Sequence, residues 1–104
     1  MPNIKLDKEG YLLNLTDWNE EIAQHLASEE GLALTEAHWE IIYLLRDFYH
    51  EFEISPAMRP LVKAVTKKLG ADKGKSMYLM VLFPGSPAKL IAKLAGLPKP
   101  KNCL

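Results

Sequence analysis

The chain has 104 residues, 48% of them hydrophobic and 25% charged, with a formal net charge of zero. That length holds a single core, and the apolar share is enough to offset chain entropy, so a multidomain protein and a fully disordered one are both excluded. No apolar run reaches the 18 or so residues of a membrane span, and a single cysteine excludes an internal disulfide or a cysteine-clustered zinc site.

The zero net charge hides a division. Residues 1–53 hold 3 basic and 12 acidic side chains, whereas residues 54–104 hold 10 basic ones and one acid, Asp72. Either the halves fold against each other and their fields partly cancel, or the basic half meets a polyanion such as RNA or an acidic protein surface. The start, Met1-Pro2-Asn3-Ile4-Lys5, lacks the basic-then-apolar pattern of a secretory signal, so a cytoplasmic location and no membrane partner are expected.

In chain order, Ile4-Lys5-Leu6 and Tyr11-Leu12-Leu13 flank Asp7-Lys8-Glu9-Gly10, which predicts a small β-hairpin. Thr16 or Asp17 then caps a helix with Glu20 and Glu21 in its first turn. Trp18, Ile22 and Leu26 form its apolar stripe, and Gly31 ends it. Thr35 opens the longest helix, over 36–52, with Trp39, Ile42, Leu45, Phe48, Tyr49 and Phe52 facing the core. Ser55-Pro56 reads as a cap followed by a first-turn proline, opening a helix over 56–69 that Gly70 stops. Met77 to Phe83 is uniformly apolar, and periodicity does not choose between buried helix and strand. Ser86-Pro87 opens a last helix to about Ala95, before Gly96. Pro98 and Pro100 then forbid helix and sheet pairing and favour an extended arm. The expected fold class is α+β and mostly helical. A small N-terminal β-hairpin or meander packs on about five helices over residues 1–96, and a mobile arm covers 97–104.

Cys103 lies on that arm, between a Pro-Lys-Pro-Lys run and the last residue. Lys99 and Lys101 favour its thiolate, the nucleophilic form, and the terminal carboxylate partly offsets them. Eight residues from Leu97 reach about 25 Å when extended, long enough to enter a partner's cleft. A thiolate so placed can accept a sulfane sulfur and pass it on. With no second cysteine, its persulfide has no thiol in the chain with which to collapse. The alternative is an incidental exposed cysteine.

Other features are less specific. His25, His38 and His50 show no metal-ligand spacing and read as helix-surface or partly packed residues. Gly70-Ala71-Asp72-Lys73-Gly74-Lys75-Ser76 ends like a phosphate loop but is one residue short between its glycines and follows no strand, so it reads as a lysine-rich turn. The helices 36–52 and 56–69 could form a helix-turn-helix, with Arg59, Lys63, Lys67 and Lys68 contacting phosphates. The alternative there is an ordinary helical hairpin with a solvated basic side.

Tyr78-Leu79, Leu82-Phe83-Pro84, Pro87-Ala88-Lys89, Lys93, the run Ala95 to Pro100 and the penultimate Cys103 resemble the DsrC/TusE family of sulfur carriers. His38-Trp39-Glu40, Arg46-Asp47-Phe48-Tyr49, Ser55-Pro56-Ala57 and Glu9-Gly10-Tyr11-Leu12 extend the resemblance over nearly the whole chain. Members serving dissimilatory sulfite reductase carry a second cysteine eleven positions before the penultimate one, where this chain has Ala92. The resemblance is therefore closest to the TusE branch, which relays persulfide sulfur for tRNA 2-thiouridine. It implies that Cys103 accepts sulfur from a TusBCD-like donor complex and delivers it to an MnmA-like tRNA thiolase, with tRNA an indirect partner and no cofactor or metal. Lys89, Lys93, Pro98, Lys99, Pro100 and Lys101 would then make the arm and partner contacts. A DsrC-like subunit associated with sulfite reductase is the alternative within the family.

Overall fold

In the computed structural model, residues 4–101 are described, and within them every regular element is helical. A single 3-10 turn, Leu15–Asp17, precedes α1 (Glu20–Glu29), α2 (Glu36–Phe52), α3 (Met58–Leu69), α4 (Ser76–Leu82) and α5 (Pro87–Leu94). The expected α+β class is thus corrected. Leu6 and Leu12 make one isolated antiparallel bridge, and no strand forms among the described residues. The reason is local. The Asp7 carboxylate accepts the backbone N–H groups of Glu9 and Tyr11, both at 2.9 Å, so the segment closes into a tight side-chain-stabilised turn. Asn14 then starts the 3-10 turn by accepting from Thr16 N, which leaves no length for a ladder.

Caps place the other boundaries. α1 starts later than expected because Asn19, whose side chain accepts from Ile22 N at 2.9 Å, is its cap. Trp18 is thereby left outside the helix. α2 has the expected bounds, opened by a capping box of Thr35 and His38. α3 starts at Met58, because the Ser55 hydroxyl donates to the Pro98 carbonyl at 2.5 Å instead of capping. The 77–83 run becomes α4, and only Leu79 and the following Phe83 are buried, while Met77, Met80 and Val81 face outward.

α5 lies at the centre, packed against α1, α2 and α3. Pro87, Ala88, Leu90, Ile91, Ala92 and Leu94 are all buried, leaving Lys89 and Lys93, four residues apart, as its one polar stripe. Ile41, Ile42 and Leu45 of α2 and Leu61 and Val65 of α3 complete the core around it. His38 ties α2 to α4. Its Nδ1 accepts from Thr35 N at 3.1 Å and its Nε2 faces the Leu82 carbonyl at 2.8 Å, with the ring edge-on to Phe83.

Candidate functional site

The site begins where α5 ends. Gly96, at φ +72°, carries the chain through the left-handed turn that stops the helix. Gly96 N donates to Lys93 O and Leu97 N donates to Ala92 O, which closes the end of α5. The two carbonyls left over are taken by side chains from elsewhere. Trp18 Nε1 donates to Leu94 O at 2.8 Å, and Arg46 Nη1 donates to Ala95 O at 2.5 Å. The Arg46 guanidinium also lies 3.9 Å from the Trp18 ring centroid, a cation–π stack. Burial lowers the Arg46 pKa, and the neighbouring Tyr43 and Asp47 partly oppose that shift. A cation at a helix C-terminus also complements the negative end of the dipole.

Residues 97–101 do not lift away as the expected arm would. Leu97 is 3% exposed and Pro100 is buried. Pro98 is exposed, but its carbonyl is held by Ser55. Lys99 Nζ pairs with Glu9 Oε2 at 2.8 Å, and Lys101 is exposed. The prolines therefore lay this segment on the body, between the 53–57 turn and the N-terminal turn. Cys103 lies outside the described residues.

A groove of about 230 Å³ adjoins this track, lined by Glu9, Tyr11, Glu30, Pro84, Ser86, Lys89, Leu90 and Lys93. Lys93 Nζ pairs with Glu30 Oε2 at 3.1 Å and lies 5.6 Å from the Tyr11 ring centroid. The Tyr11 hydroxyl donates to the Lys89 carbonyl at 3.3 Å. The polar stripe of α5 and Glu9, the partner of Lys99, thus line one concave surface. The resemblance named Lys89, Lys93 and Lys99, and the structure brings them to one side of the molecule. It named none of their partners Glu9, Glu30 and Tyr11 for that purpose, nor the Trp18–Arg46 pair. The signal for that pair was the lone arginine among the first 53 residues, placed on a helix face otherwise apolar. Among the described residues, no group of three His, Cys, Asp or Glu side chains is placed to hold a metal ion. None of the described helices is long and apolar enough to cross a membrane.

Comparison with known proteins decides the lineage. Residues 2–104 match the family described as DsrC like protein. The chain belongs to the DsrC-like family. It is 58% identical over 101 residues to the "Sulfurtransferase TusE homolog" of Haemophilus influenzae, covering 97% of this chain and 93% of that one. It is 54% identical to the "Sulfurtransferase TusE" of Yersinia pseudotuberculosis, covering 97% and 94%. Among solved structures, the NMR structure of Allochromatium vinosum DsrC superposes with a TM-score of 0.88 at 52% identity, covering 97% of this chain and 90% of that one. Ala92, where the resemblance expects the second cysteine of two-cysteine members, is fully buried in α5.

Proposed function

We propose that this chain is a sulfurtransferase that carries sulfane sulfur as a persulfide on Cys103 within a sulfur relay. The observation that carries the reading is the near-complete alignment with sulfurtransferases named TusE, in a chain whose one cysteine is penultimate. The Cys103 thiolate attacks the outer sulfur of a donor persulfide. The donor S–S bond breaks, the donor leaves as a thiolate, and Cys103 becomes Cys-S-SH. In delivery an acceptor thiolate attacks that outer sulfur and the Cys103 thiolate leaves, so neither step consumes an oxidant or a reductant. Lys89 and Lys101 favour the anionic forms of the sulfur, while Lys93 and Lys99 contribute less because Glu30 and Glu9 offset their charge. A TusBCD-like complex is the proposed donor and an MnmA-like tRNA thiolase the proposed acceptor, in the cytoplasm, with residues 97–104 as the carrying segment.

Intact-mass measurement after exposure to a cysteine-desulfurase relay tests this. Wild type gains one sulfur atom, about 32 Da, and Cys103→Ser gains none. An adduct that persists on Cys103→Ser, or wild type that takes up no sulfur from a competent relay, overturns it. The likeness to the gamma-subunit of the dissimilatory sulfite reductase (DsrC) from Archaeoglobus fulgidus, at a TM-score of 0.84 and 39% identity, favours a second reading, a companion of sulfite reductase. Partners trapped through Cys103 separate the two, a tRNA thiolase supporting the first and a sulfite reductase the second.

A further inference from the structure

The face formed by α2 and α3 shares no lining residue with the groove described above, although its Tyr43 and Asp47 neighbour Arg46. A groove of about 770 Å³ runs between the two helices. Its α2 wall carries the bulky rings of Tyr43, Phe48 and Phe52, with Tyr43 40% and Phe52 54% exposed. Its α3 wall offers the smaller Pro60 and Ala64, with Leu69 at the end of the helix. Charge divides the same way, with Asp47 and Glu51 on the α2 side and Lys63, Lys67 and Lys68 on the α3 side. Among the described residues none of these five makes an ion pair across the groove, since the ion pairs are Lys73–Glu40, Lys93–Glu30 and Lys99–Glu9.

We propose that this face is where two copies of the chain meet, related by a two-fold axis running along the groove. Rotation about that axis exchanges left and right walls while keeping height. It lays the acidic, large-ring wall of α2 over the basic, small-residue wall of the partner's α3. The helices are antiparallel, as Lys73, just past α3, returns to Glu40 near the start of α2. Residues at one height are therefore Asp47 with Lys63, and Phe52 with Pro60. Each carboxylate then finds across the axis the cation it does not reach within its own chain, and each exposed ring finds a shallow seat. A two-fold perpendicular to the groove would set acid on acid and ring on ring, so the pattern selects one axis. A nucleic-acid backbone fits less well, because Asp47 and Glu51 flank the lysine row and repel phosphates. The face measures about 18 Å along α3, the scale of a small reversible interface.

Sedimentation velocity on the full chain, in a Cys103→Ser background that removes disulfide dimers, tests this from about 10 µM to about 1 mM. The expected result is a rise from 11.7 kDa toward twice that mass. The pairs Lys63→Glu with Lys67→Glu and Asp47→Lys with Glu51→Lys each stay monomeric with unchanged helical circular dichroism. An equimolar mixture of the two regains the doubled mass. Phe52→Ser, at a largely exposed position, weakens association by about tenfold or more without touching a charge. A chain that stays at 11.7 kDa throughout overturns the proposal, as does a doubling that survives both charge reversals. Retention of a short RNA duplex by the lysine row with no doubling of mass also overturns it, and assigns that row to nucleic acid.

Discussion

Trp18 lies against Gly96 so closely that a Cβ placed on the glycine would stand 2.4 Å from the ring carbon Cδ1. The same tryptophan donates to Leu94 O, so the ring both fills the space beside the turn and satisfies the helix that leads into it. Gly96→Ala therefore meets two obstacles, a left-handed backbone and a tryptophan fixed by its own hydrogen bond. The expected loss is about 2–4 kcal/mol in urea unfolding. A loss under about 1 kcal/mol would show that the ring moves aside freely.

His38 is the one buried polar side chain of the described core, and both ring nitrogens are engaged. His38→Phe keeps the ring but strands the Leu82 carbonyl and the Thr35 N–H. The expected cost is about 2–3 kcal/mol, read as a lower thermal midpoint, with Cys103 persulfide loading of the folded protein unchanged.

Tyr43 donates a short hydrogen bond to a Glu20 carboxylate oxygen. That bond, with burial next, raises the phenol's pKa above its ordinary value. A raised pKa means that the contribution is fully present below about pH 10 and is lost as the pH climbs through the folded-state value. Ultraviolet titration should show one tyrosine ionising late. Glu20→Gln should move it to lower pH, and an unchanged curve would remove the assignment.

The Lys99–Glu9 pair tethers the segment leading to Cys103, yet its side chains are 38% and 58% exposed. Exposed pairs contribute little, so Glu9→Gln should cost less than about 1 kcal/mol in thermal unfolding. Tryptic cleavage after Lys101, the lysine of this segment not followed by proline, should accelerate in that variant at low salt and converge on wild type at high salt, where the pair is screened. Equal cleavage at low salt would show that Ser55 and the burial of Leu97 and Pro100 hold the segment alone.

The helices were legible where one face is apolar and the cap is unambiguous. The bounds of α2 follow from Thr35 and the spacing of Trp39, Ile42, Leu45 and Phe52. Reading failed where a side chain had two possible employers. Ser55 precedes a proline as a cap would, but its hydroxyl serves Pro98, 43 positions away, and no local rule shows that choice. Trp18 fits a helical stripe with Ile22 and Leu26, but Asn19 outcompetes Thr16 and Asp17 as the cap and frees the ring for α5. The hairpin failed because the Asp7 carboxylate takes backbone donors that a strand would have used. In the site, Lys89 and Lys93 were named by the family resemblance alone, whereas their partners Tyr11 and Glu30 come from distant segments that only the fold joins.

The helix on which α1, α2 and α3 all pack is the last of the described helices. During synthesis, the first four helices leave the ribosome before the residues that give them a common interior. α2 and α3 already pack on each other, but α1 packs chiefly on α5, so the full core closes only once α5 is present. A chain truncated before α5 would therefore lack the interior that α1, α2 and α3 share.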